Sequence, residues 1–167
     1  KYIAKKYGIE VEEEAITPEL KAEIDEREQM FALNDFMSKH FQNNLLNTDD
    51  GKAVALTYLR ERGFLEVTIK TFQLGYAANA WEEYSNFAVK KAYKKDILVK
   101  TGLSIDKGKR LIDRFKGRVI FPIHNLTGKV IGFGGRILTN DKNTAKYLNS
   151  PESVIYNKSQ SLYGIYF

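Results

Sequence analysis

The spacing of apolar residues changes its period close to Gly102. From Glu19 to about Leu46, apolar residues recur mostly at intervals of three and four, which predicts one long amphipathic helix. Thr17 and Pro18 are typical of an N-cap and of a first helical position. Beyond Gly102, apolar and polar residues alternate in short runs, which indicates strands. We therefore expect an α+β fold in which long N-terminal helices pack with a small, mainly antiparallel sheet.

Shorter elements are predicted between the long helix and the strands. Asp49, Asp50 and Gly51 indicate a turn and a cap before a second helix, and Gly63 indicates its end. The predicted elements are a helix over 52–62, a helical turn over 68–72, a strand over 74–76 and a helix near 80–93 that contains Trp81. The cations that follow are interpreted as a solvated face rather than a binding motif, namely Lys90, Lys91, Lys94 and Lys95.

The C-terminal part predicts a hairpin and two shorter strands. Pro122 has no amide hydrogen for a sheet ladder, so its strand is expected to be an edge strand or to carry a bulge. The predicted strands are 103–105, 110–112, 118–123 and 129–138, the last two paired through a turn at 125–128.

These elements suggest a simple domain plan. Residues 1–16 read as the tail of a helix and a linker, and residues 17–167 as one domain with a helical part to about 101 and a mixed strand part from about 102. Because the chain begins at Lys1 and not at Met, we expect it to be a piece of a longer protein.

Composition excludes several classes of function. With 43% hydrophobic and 28% charged residues, the chain has the composition of a globular protein. The absence of Cys rules out disulfides and thiolate metal sites within these residues. No apolar run is long enough for a membrane span.

Charge is divided unequally along the chain. Residues 1–50 hold 6 Lys/Arg and 12 Asp/Glu, a net charge of −6, whereas residues 51–167 hold 20 and 9, a net charge of +11. Such a division favours an acidic partner, such as a nucleic acid, on the C-terminal part. A surface that is merely soluble would show the same counts, because counts alone do not show clustering in space.

Three cations precede or begin the longest predicted hairpin. Arg114, Lys116 and Arg118 occupy alternate positions, which would place them on one face if strand geometry begins that early. A row of Arg and Lys suits a phosphate backbone, since Arg donates two hydrogen bonds to phosphate oxygens and Lys acts as a point charge. Charged residues are also common on exposed strand faces.

Glycines interrupt the second strand of that hairpin. Gly132, Gly134 and Gly135 leave either a bare backbone patch, where a nucleic-acid strand lies beside Arg136, or a β-bulge with tight packing. The pattern matches neither a dinucleotide-binding fingerprint nor a phosphate loop.

A loop-like region after the hairpin combines cations, an aromatic ring and short polar groups. This combination is typical of contacts with single-stranded nucleic acid, although Asn149 and Ser150 would serve equally well as turn or cap residues. The candidate residues here are Lys146, Tyr147, Asn149, Ser150 and Lys158.

The residues show no catalytic constellation. His40 and His124 lack a cysteine or triad context, and residues 107–167 contain three scattered acids, Asp113, Asp141 and Glu152. Nucleotidyl transfer ordinarily needs clustered carboxylates to hold two metal ions.

Several longer runs resemble one family in the same order. DRFKGRVIFPIHNLTGKVIGFGGRIL, KYLNSPES and YNKSQSLYG, preceded by YLRERGF and FQLGYA, resemble the polymerase core of bacterial DnaG-type DNA primases, and the similarity covers nearly the whole chain. That family has a core of two subdomains, a basic N-terminal one and a Toprim one with the catalytic metal-binding acids, and this chain matches the first. The resemblance implies a Toprim subdomain after residue 167, a zinc-binding module before the chain and a helicase-binding domain beyond.

The resemblance also implies a function and a set of contacts. The parent would be a cytoplasmic bacterial enzyme that makes RNA primers from ribonucleoside triphosphates on single-stranded DNA, with Mg²⁺ or Mn²⁺ in the Toprim part and Zn²⁺ in the preceding module. This part would hold no cofactor or catalytic residue, and alone it would be inactive. Its groove would guide template or RNA–DNA hybrid, with some side chains contacting nucleotide phosphates. By resemblance the groove contains Arg62, Arg114, Lys116, Arg118, Arg136, Lys146, Tyr147 and Lys158.

Lys116 departs from the Arg that is commoner at its position, which weakens a bidentate role there. Two other functions remain open. One is a non-catalytic module of a primase-like mobile-element protein that binds single-stranded nucleic acid, and the other is a docking domain that uses the acidic helix. A Glu-Gly-Tyr-Met-Asp-like strand and a later Asp-x-Asp after Phe167 would favour the enzyme over the binding module.

Overall fold

A computed structural model describes residues 17–139 and 144–167, so the predicted linker over 1–16 lies outside the described residues. The α+β class is confirmed, with helices on both sides of an antiparallel sheet. The helices are α1 (Pro18–Asn47), a π-helical segment (Gly51–Leu56) that continues into α2 (Thr57–Glu61), α3 (Glu66–Thr71), α4 (Glu83–Lys90), α5 (Lys95–Lys100) and a final 3₁₀ turn (Lys158–Gln160). The strands are β1 (Gly75–Ala77), β2 (Ser104–Asp106), β3 (Leu111–Asp113), β4 (Arg118–His124), β5 (Val130–Ile137) and β6 (Tyr147–Asn149).

The long helix α1 begins and ends close to the predicted residues. Thr17 is its N-cap, and the hydroxyl oxygen of Thr17 accepts a hydrogen bond from the amide of Leu20 at 3.2 Å. Pro18 stands at the first helical position, where a missing amide hydrogen costs nothing. None of the helices described within 17–139 and 144–167, α1 included, combines the length and apolar character needed to cross a bilayer.

The second predicted helix exists but begins differently. Asp50 makes no side-chain capping bond; instead the hydroxyl of Thr48 accepts from the amide of Gly51 at 3.0 Å. A Cβ on Gly51 would lie 1.9 Å from the carbonyl oxygen of Asn44, so only glycine allows this approach to α1. The first turns are π-helical, and the helix ends before Gly63, whose φ of +79° a side chain would rarely adopt.

The predicted helix over 80–93 is shorter than expected, and Trp81 lies outside it. Asp113, which is buried, accepts hydrogen bonds from the amides of Tyr84 at 2.9 Å and Ser85 at 3.0 Å, and these bonds fix the start of α4. The carbonyl of Trp81 accepts from the amide of Asp113 at 2.7 Å, so this residue belongs to the connection before the helix. Helix α5 was not predicted, because its first lysine was interpreted as part of a solvated face and its two buried residues, Ile97 and Leu98, are too few to show a helical period.

The main sheet has the strand order β1-β4-β5-β6, and β2 and β3 form a separate antiparallel pair. The prediction that Pro122 lies in an edge strand is wrong, since β4 is central, but β1 reaches only as far as Ile120 along it. Pro122 therefore has a strand neighbour on one side only. The alternative prediction, a bulge, fits better, because the register between β4 and β5 shifts between Ile123 and His124.

Helix α1 covers one face of the sheet, which we call the α1 face. The buried ring of Phe41 packs edge-on against Tyr84 at 5.1 Å and against Phe133 at 5.6 Å between ring centroids. A Cβ on Gly75 would lie 2.5 Å from that of Phe41, so glycine lets β1 run directly against the helix. On the opposite face, α2 and α3 pack over Tyr76 and Val119 at one end of the sheet.

Candidate nucleic-acid interface

The opposite face of the sheet collects most of the predicted contact residues. Arg136 pairs with Tyr147, and Gly134 pairs with Asn149, across β5 and β6. Because directly paired residues of antiparallel strands project to the same side, these four residues share a face. Tyr147 and Asn149 thus lie in a strand, not in the predicted loop, and helix α2 adds Tyr58 beside them.

Arginines and tyrosines alternate along this face in a row that we call the ladder, made of Arg62, Tyr58, Arg136, Tyr147 and Lys146. The Cζ atom of Arg62 lies 3.9 Å from the ring centroid of Tyr58, and that of Arg136 lies 5.4 Å from the same centroid. Arg136 also lies 5.1 Å from the ring of Tyr147 and donates to its hydroxyl, and Lys146 Nζ lies 5.9 Å from that ring. Cation–π contacts hold these cations in place without neutralising them.

A cavity of about 450 Å³ continues the ladder along the same sheet and is called the sheet pocket. Gly134 and Gly135 both line it, and Gly134 lies on the same face of the sheet as Arg136. Gly132 and Gly135 fit the tight-packing alternative, because added Cβ atoms would lie 3.2 Å from the Tyr156 ring and 2.7 Å from the Phe115 ring, respectively. Other predicted residues that line the sheet pocket are Tyr147, Asn149 and Lys158.

The side chain of Ser150 is buried within the sheet. Its side chain is 1% exposed, its hydroxyl accepts from the amide of Phe133 at 3.0 Å, and its own amide donates to the Phe133 carbonyl at 2.8 Å. These bonds extend the pairing of β5 and β6. The hydroxyl of Ser150 is therefore used inside the sheet, which is neither the turn role nor the cap role suggested by the sequence, whereas Asn149 is exposed.

The three cations before the hairpin do not form the expected row. Residues 114–117 form a turn in which Gly117 has a φ of +65°, and strand geometry begins only at Arg118. The turn nevertheless brings Arg114, Lys116 and Arg118 around one cavity of about 530 Å³, the turn pocket, together with Trp81. Lys116 Nζ lies 3.5 Å from the Trp81 ring centroid.

Arg118 is mostly occupied within the protein. Successive residues of a strand point to opposite faces of the sheet, so the side chain of Arg118 points away from the ladder and from the side chain of Val119. Arg118 is 4% exposed. Its guanidinium donates to the carbonyl of Ala145 at 2.8 Å and to those of Gly135 and Lys146 at 3.4 Å each. Burial lowers its pKa. The arginine fastens the segment before β6 to the sheet, and so helps to place Lys146.

The other predicted cations have no salt bridge to a described residue, unlike five cations elsewhere in the described chain. Within residues 17–139 and 144–167, salt bridges join Lys39 to Asp35, Lys70 to Glu66, Lys100 to Glu26, Arg110 to Glu82 and Lys129 to Glu28. No salt bridge in that part of the chain includes a cation of the ladder, Lys158, or the cations of the turn pocket. The Nε atoms of Arg114 and Arg136 are buried without a hydrogen-bond partner.

Both histidines make contacts within the fold. His40 lies 3.1 Å from Glu83 and stacks on Phe87, while buried His124 lies 3.1 Å from the side-chain oxygen of Gln73, and burial lowers its pKa. The described residues contain no group of three His, Cys, Asp or Glu side chains placed to hold a metal ion.

Two aromatic partners were missed from the sequence. Tyr58 is not among the candidate residues predicted from the sequence, yet it lies between Arg62 and Arg136. Its position four residues before Arg62 on one helix was the available signal, since residues at that spacing are neighbours. Trp81 gave no signal, because its contact with Lys116 joins distant segments.

Comparisons with known proteins agree on one family. The family model of the DNA primase catalytic core, N-terminal domain, matches residues 40–167. The DNA primase of Halalkalibacterium halodurans is 42% identical over 156 residues, which cover 92% of this chain and 25% of that protein.

Two solved structures are similar in fold. The DnaG primase catalytic domain bound to ssDNA has a TM-score of 0.75 and 36% identity, over 86% of this chain and 44% of that one. The RNA polymerase domain of Mycobacterium tuberculosis primase DnaG, in complex with a double-stranded DNA oligomer with a 6-nucleotide overhang, has a TM-score of 0.77 and 32% identity, over 83% and 43%. This chain therefore spans about a quarter of its curated relative, and less than half of either structure.

Proposed function

The chain belongs to the DNA primase family, as the N-terminal domain of the primase catalytic core, and we propose that its ladder and sheet pocket bind the single-stranded template of primer synthesis. The binding of ssDNA and of overhanging duplex by proteins of the same fold supports this assignment. In this role the domain positions the template and the RNA–DNA hybrid rather than carrying out phosphoryl transfer.

The observation that carries the proposal is the contrast between paired and unpaired cations. Lys39, Lys70 and Lys100 have carboxylate partners, whereas Arg62, Arg136 and Lys146 have tyrosines. An arginine held by an aromatic face keeps its full charge and its hydrogen-bond donors for phosphate oxygens. Such cations favour a polyanion, and the salt-bridged ones do not.

The tyrosines supply a second part of the recognition. Tyr147 is 65% exposed, so its ring offers a face to an unpaired base. Base stacking on an aromatic side chain tolerates any sequence, since every base has a π-face. Asn149 and Lys158 add a hydrogen-bonding group and a charge beside Gly134, where the bare backbone lets a strand approach closely.

The turn pocket gives a further contact zone in this proposal. Arg114 and Lys116 bind phosphates there, either of the hybrid or of an incoming ribonucleoside triphosphate, and Trp81 provides a stacking face. Arg118 acts indirectly, by holding the chain near Lys146.

The whole protein is proposed to make RNA primers on single-stranded DNA in the bacterial cytoplasm and to associate with a replicative helicase. The described residues do not fit a catalytic metal, because no acidic cluster is present among them. We assign Mg²⁺ or Mn²⁺ to a Toprim subdomain and Zn²⁺ to a preceding module of the longer protein. This chain alone is expected to make no primer, and primer synthesis by it would contradict that division.

A titration of fluorescent single-stranded DNA across a salt series tests the template groove. The Arg62→Ala/Arg136→Ala/Lys146→Ala variant removes three unpaired cations, and the Lys39→Ala/Lys70→Ala/Lys100→Ala variant removes three salt-bridged ones with the same change of net charge. Each lost phosphate contact lowers the slope of log affinity against log salt by ~0.7 for single strands.

We expect a slope smaller by about 2 in the ladder variant and a slope close to the parent's in the control variant, from ~0.7 for each of three contacts. Circular dichroism establishes that both variants are folded. Equal losses in the two variants would show a general field rather than a groove. Unchanged binding by the ladder variant would place the template elsewhere.

A further inference from the structure

A second basic surface lies outside the ladder, the sheet pocket and the turn pocket. Residues 90–110 hold 8 Lys/Arg and 2 Asp, a net charge of +6. Lys100 and Arg110 are neutralised by Glu26 and Glu82. Six exposed lysines remain without a salt bridge to any described residue; they form what we call the lysine surface, Lys90, Lys91, Lys94, Lys95, Lys107 and Lys109.

Two segments of the chain meet at this surface. A cavity of about 330 Å³ lies between helix α5 and the β2–β3 hairpin, with Lys95 on one side and Lys109 on the other. The two acids nearby, Asp96 and Asp106, lower the net charge of these six lysines from +6 to +4. Asp106 accepts from the amide of Gly108 at 2.7 Å and so shapes the hairpin tip, and Asp96 lies in the first turn of α5.

The lysine surface and the turn pocket adjoin the same β2–β3 hairpin. Ile105 and Ile112, in the middle of β2 and β3, line the turn pocket with Lys116, while the hairpin tip beyond them lines the cavity beside α5. One hairpin thus separates the two cation groups by its own width. A nucleic acid that reaches Lys116 therefore comes within the width of one hairpin of a second group of cations.

The side chains of the lysine surface differ from those of the ladder. Tyr93 is the only aromatic residue in 90–110, and it is half-buried, with its ring 4.9 Å from that of Phe36. The surface consequently offers point charges without a stacking face. Lysines of this kind contact phosphates and read no base, whereas an unpaired strand gains from stacking.

We propose that the lysine surface binds the phosphate backbone of duplex next to the single strand that the ladder holds. The bases of a duplex are already stacked on one another, so a surface of charges alone is complementary to it. The inference rests on the proposed function, since it places the duplex relative to the template strand in the ladder.

The test compares three DNA probes: a single strand, a blunt duplex and a duplex with a single-stranded overhang. Each is titrated with the parent chain, with the ladder variant and with Lys95→Gln/Lys107→Gln/Lys109→Gln. A Lys95→Arg/Lys107→Arg/Lys109→Arg variant keeps the charge and serves as the matched control.

We expect the glutamine variant to bind overhanging duplex at least tenfold more weakly at moderate salt and to bind the single strand within twofold of the parent. Its salt slope for the overhanging duplex falls by about 2 to 3, at ~0.9 per lost contact with duplex. The arginine variant binds like the parent.

The outcomes distinguish the inference from the proposed function. Equal weakening for all probes, or unchanged duplex binding, in the glutamine variant overturns the lysine surface alone. A parent that binds overhanging duplex no better than the single strand also overturns it. Single-strand binding that the ladder variant retains in full overturns the proposed function, and with it the arrangement of the two surfaces.

Discussion

The ladder holds three cations and the lysine surface holds six, and the two groups stand on very different parts of the fold. The ladder stands on strands β5 and β6 and on α2, and its arginines lie against tyrosine rings at distances between 3.9 and 5.4 Å. The lysine surface stands on two short helices and a hairpin tip, and its cations have no aromatic or acidic partner in the described chain. Charge that is fixed in position can orient a strand, whereas charge on free side chains mainly attracts it. Net charge alone therefore says little about which surface selects a ligand.

The largest expected difference between the two regions concerns the backbone that supports each of them. Gly135→Val would place a Cβ 2.7 Å from the Phe115 ring and should lower the free energy of unfolding by about 3 kcal/mol, the upper range for overpacking. Gly108→Ala, at the hairpin tip of the lysine surface, meets nothing within 4 Å and should cost about 1 kcal/mol, from its φ of +75°. Thermal unfolding of both variants measures the contrast, and equal losses would contradict it.

Asp113 joins β3 to the start of helix α4 and should make stability depend on pH. Burial raises the pKa of its carboxyl to about 6 from an ordinary value of 3.8. The folded state then holds the proton more tightly than the unfolded chain, so this stabilisation is complete below the unfolded pKa and is lost as pH rises through 6. At ~1.4 kcal/mol per pKa unit, the loss between pH 4.5 and 7.5 is about 2 kcal/mol.

Denaturant unfolding of the parent and of Asp113→Asn at both pH values isolates this contribution. The variant should be less stable at pH 4.5, because the amide cannot accept both of the amide hydrogen bonds that start α4. Its stability should change less between the two pH values. A pH dependence identical to the parent's would show that Asp113 is not the titrating group.

Tyr58 tests whether the ladder depends on its aromatic faces. Tyr58→Leu removes the ring from Arg62 and Arg136 and should weaken single-strand binding roughly fivefold, at about 0.5–1 kcal/mol per exposed cation–π contact. Tyr58→Phe keeps the ring and should bind within twofold of the parent, since the tyrosine hydroxyl has no hydrogen-bond partner. Equal losses in the two variants would mean that the hydroxyl, not the ring, matters.

The smallest expected effect on DNA binding comes from replacing an arginine of the ladder by lysine and a lysine of the lysine surface by arginine. Arg136→Lys should weaken single-strand binding about threefold, because an ammonium group cannot reproduce a planar guanidinium that lies between two rings. Lys109→Arg should leave duplex binding unchanged, since no neighbouring ring or acid fixes that side chain. Fluorescence titrations of both variants at one salt concentration are sufficient. A larger loss at Lys109 than at Arg136 would reverse the assignment of roles.

The hydrophobic pattern predicted the class of fold and the bounds of α1, β4 and β5, because these elements are long enough for the period to be visible. Short elements were less predictable. Helix α5 has three charged residues among six, so Ile97 and Leu98 alone did not reveal its buried side.

The candidate site could be predicted in composition but not in arrangement. The sequence contains no signal that separates Arg118 from Arg114 and Lys116, yet backbone carbonyls enclose the guanidinium of Arg118. Strand β4 begins at Arg118, and this geometry directs its side chain to the α1 face. Nothing local in the sequence distinguishes an arginine that meets phosphate from one that meets carbonyl groups. Tyr58 was missed for the opposite reason, since its partner Arg136 comes from a strand far along the chain.

The long separation in sequence between Tyr58 and Arg136 has a consequence for folding. The ladder is complete only when α2 has docked beside β5, and β1 can pair with β4 only after the intervening segments α4, α5, β2 and β3 are accommodated. Contacts between distant segments form late, because closing the intervening chain costs entropy before any contact compensates for it. The β4–β5 hairpin, by contrast, is local. Pulsed hydrogen exchange during refolding should find the amides of that hairpin protected early and those of β1 later, so that affinity for template is acquired at the end of folding.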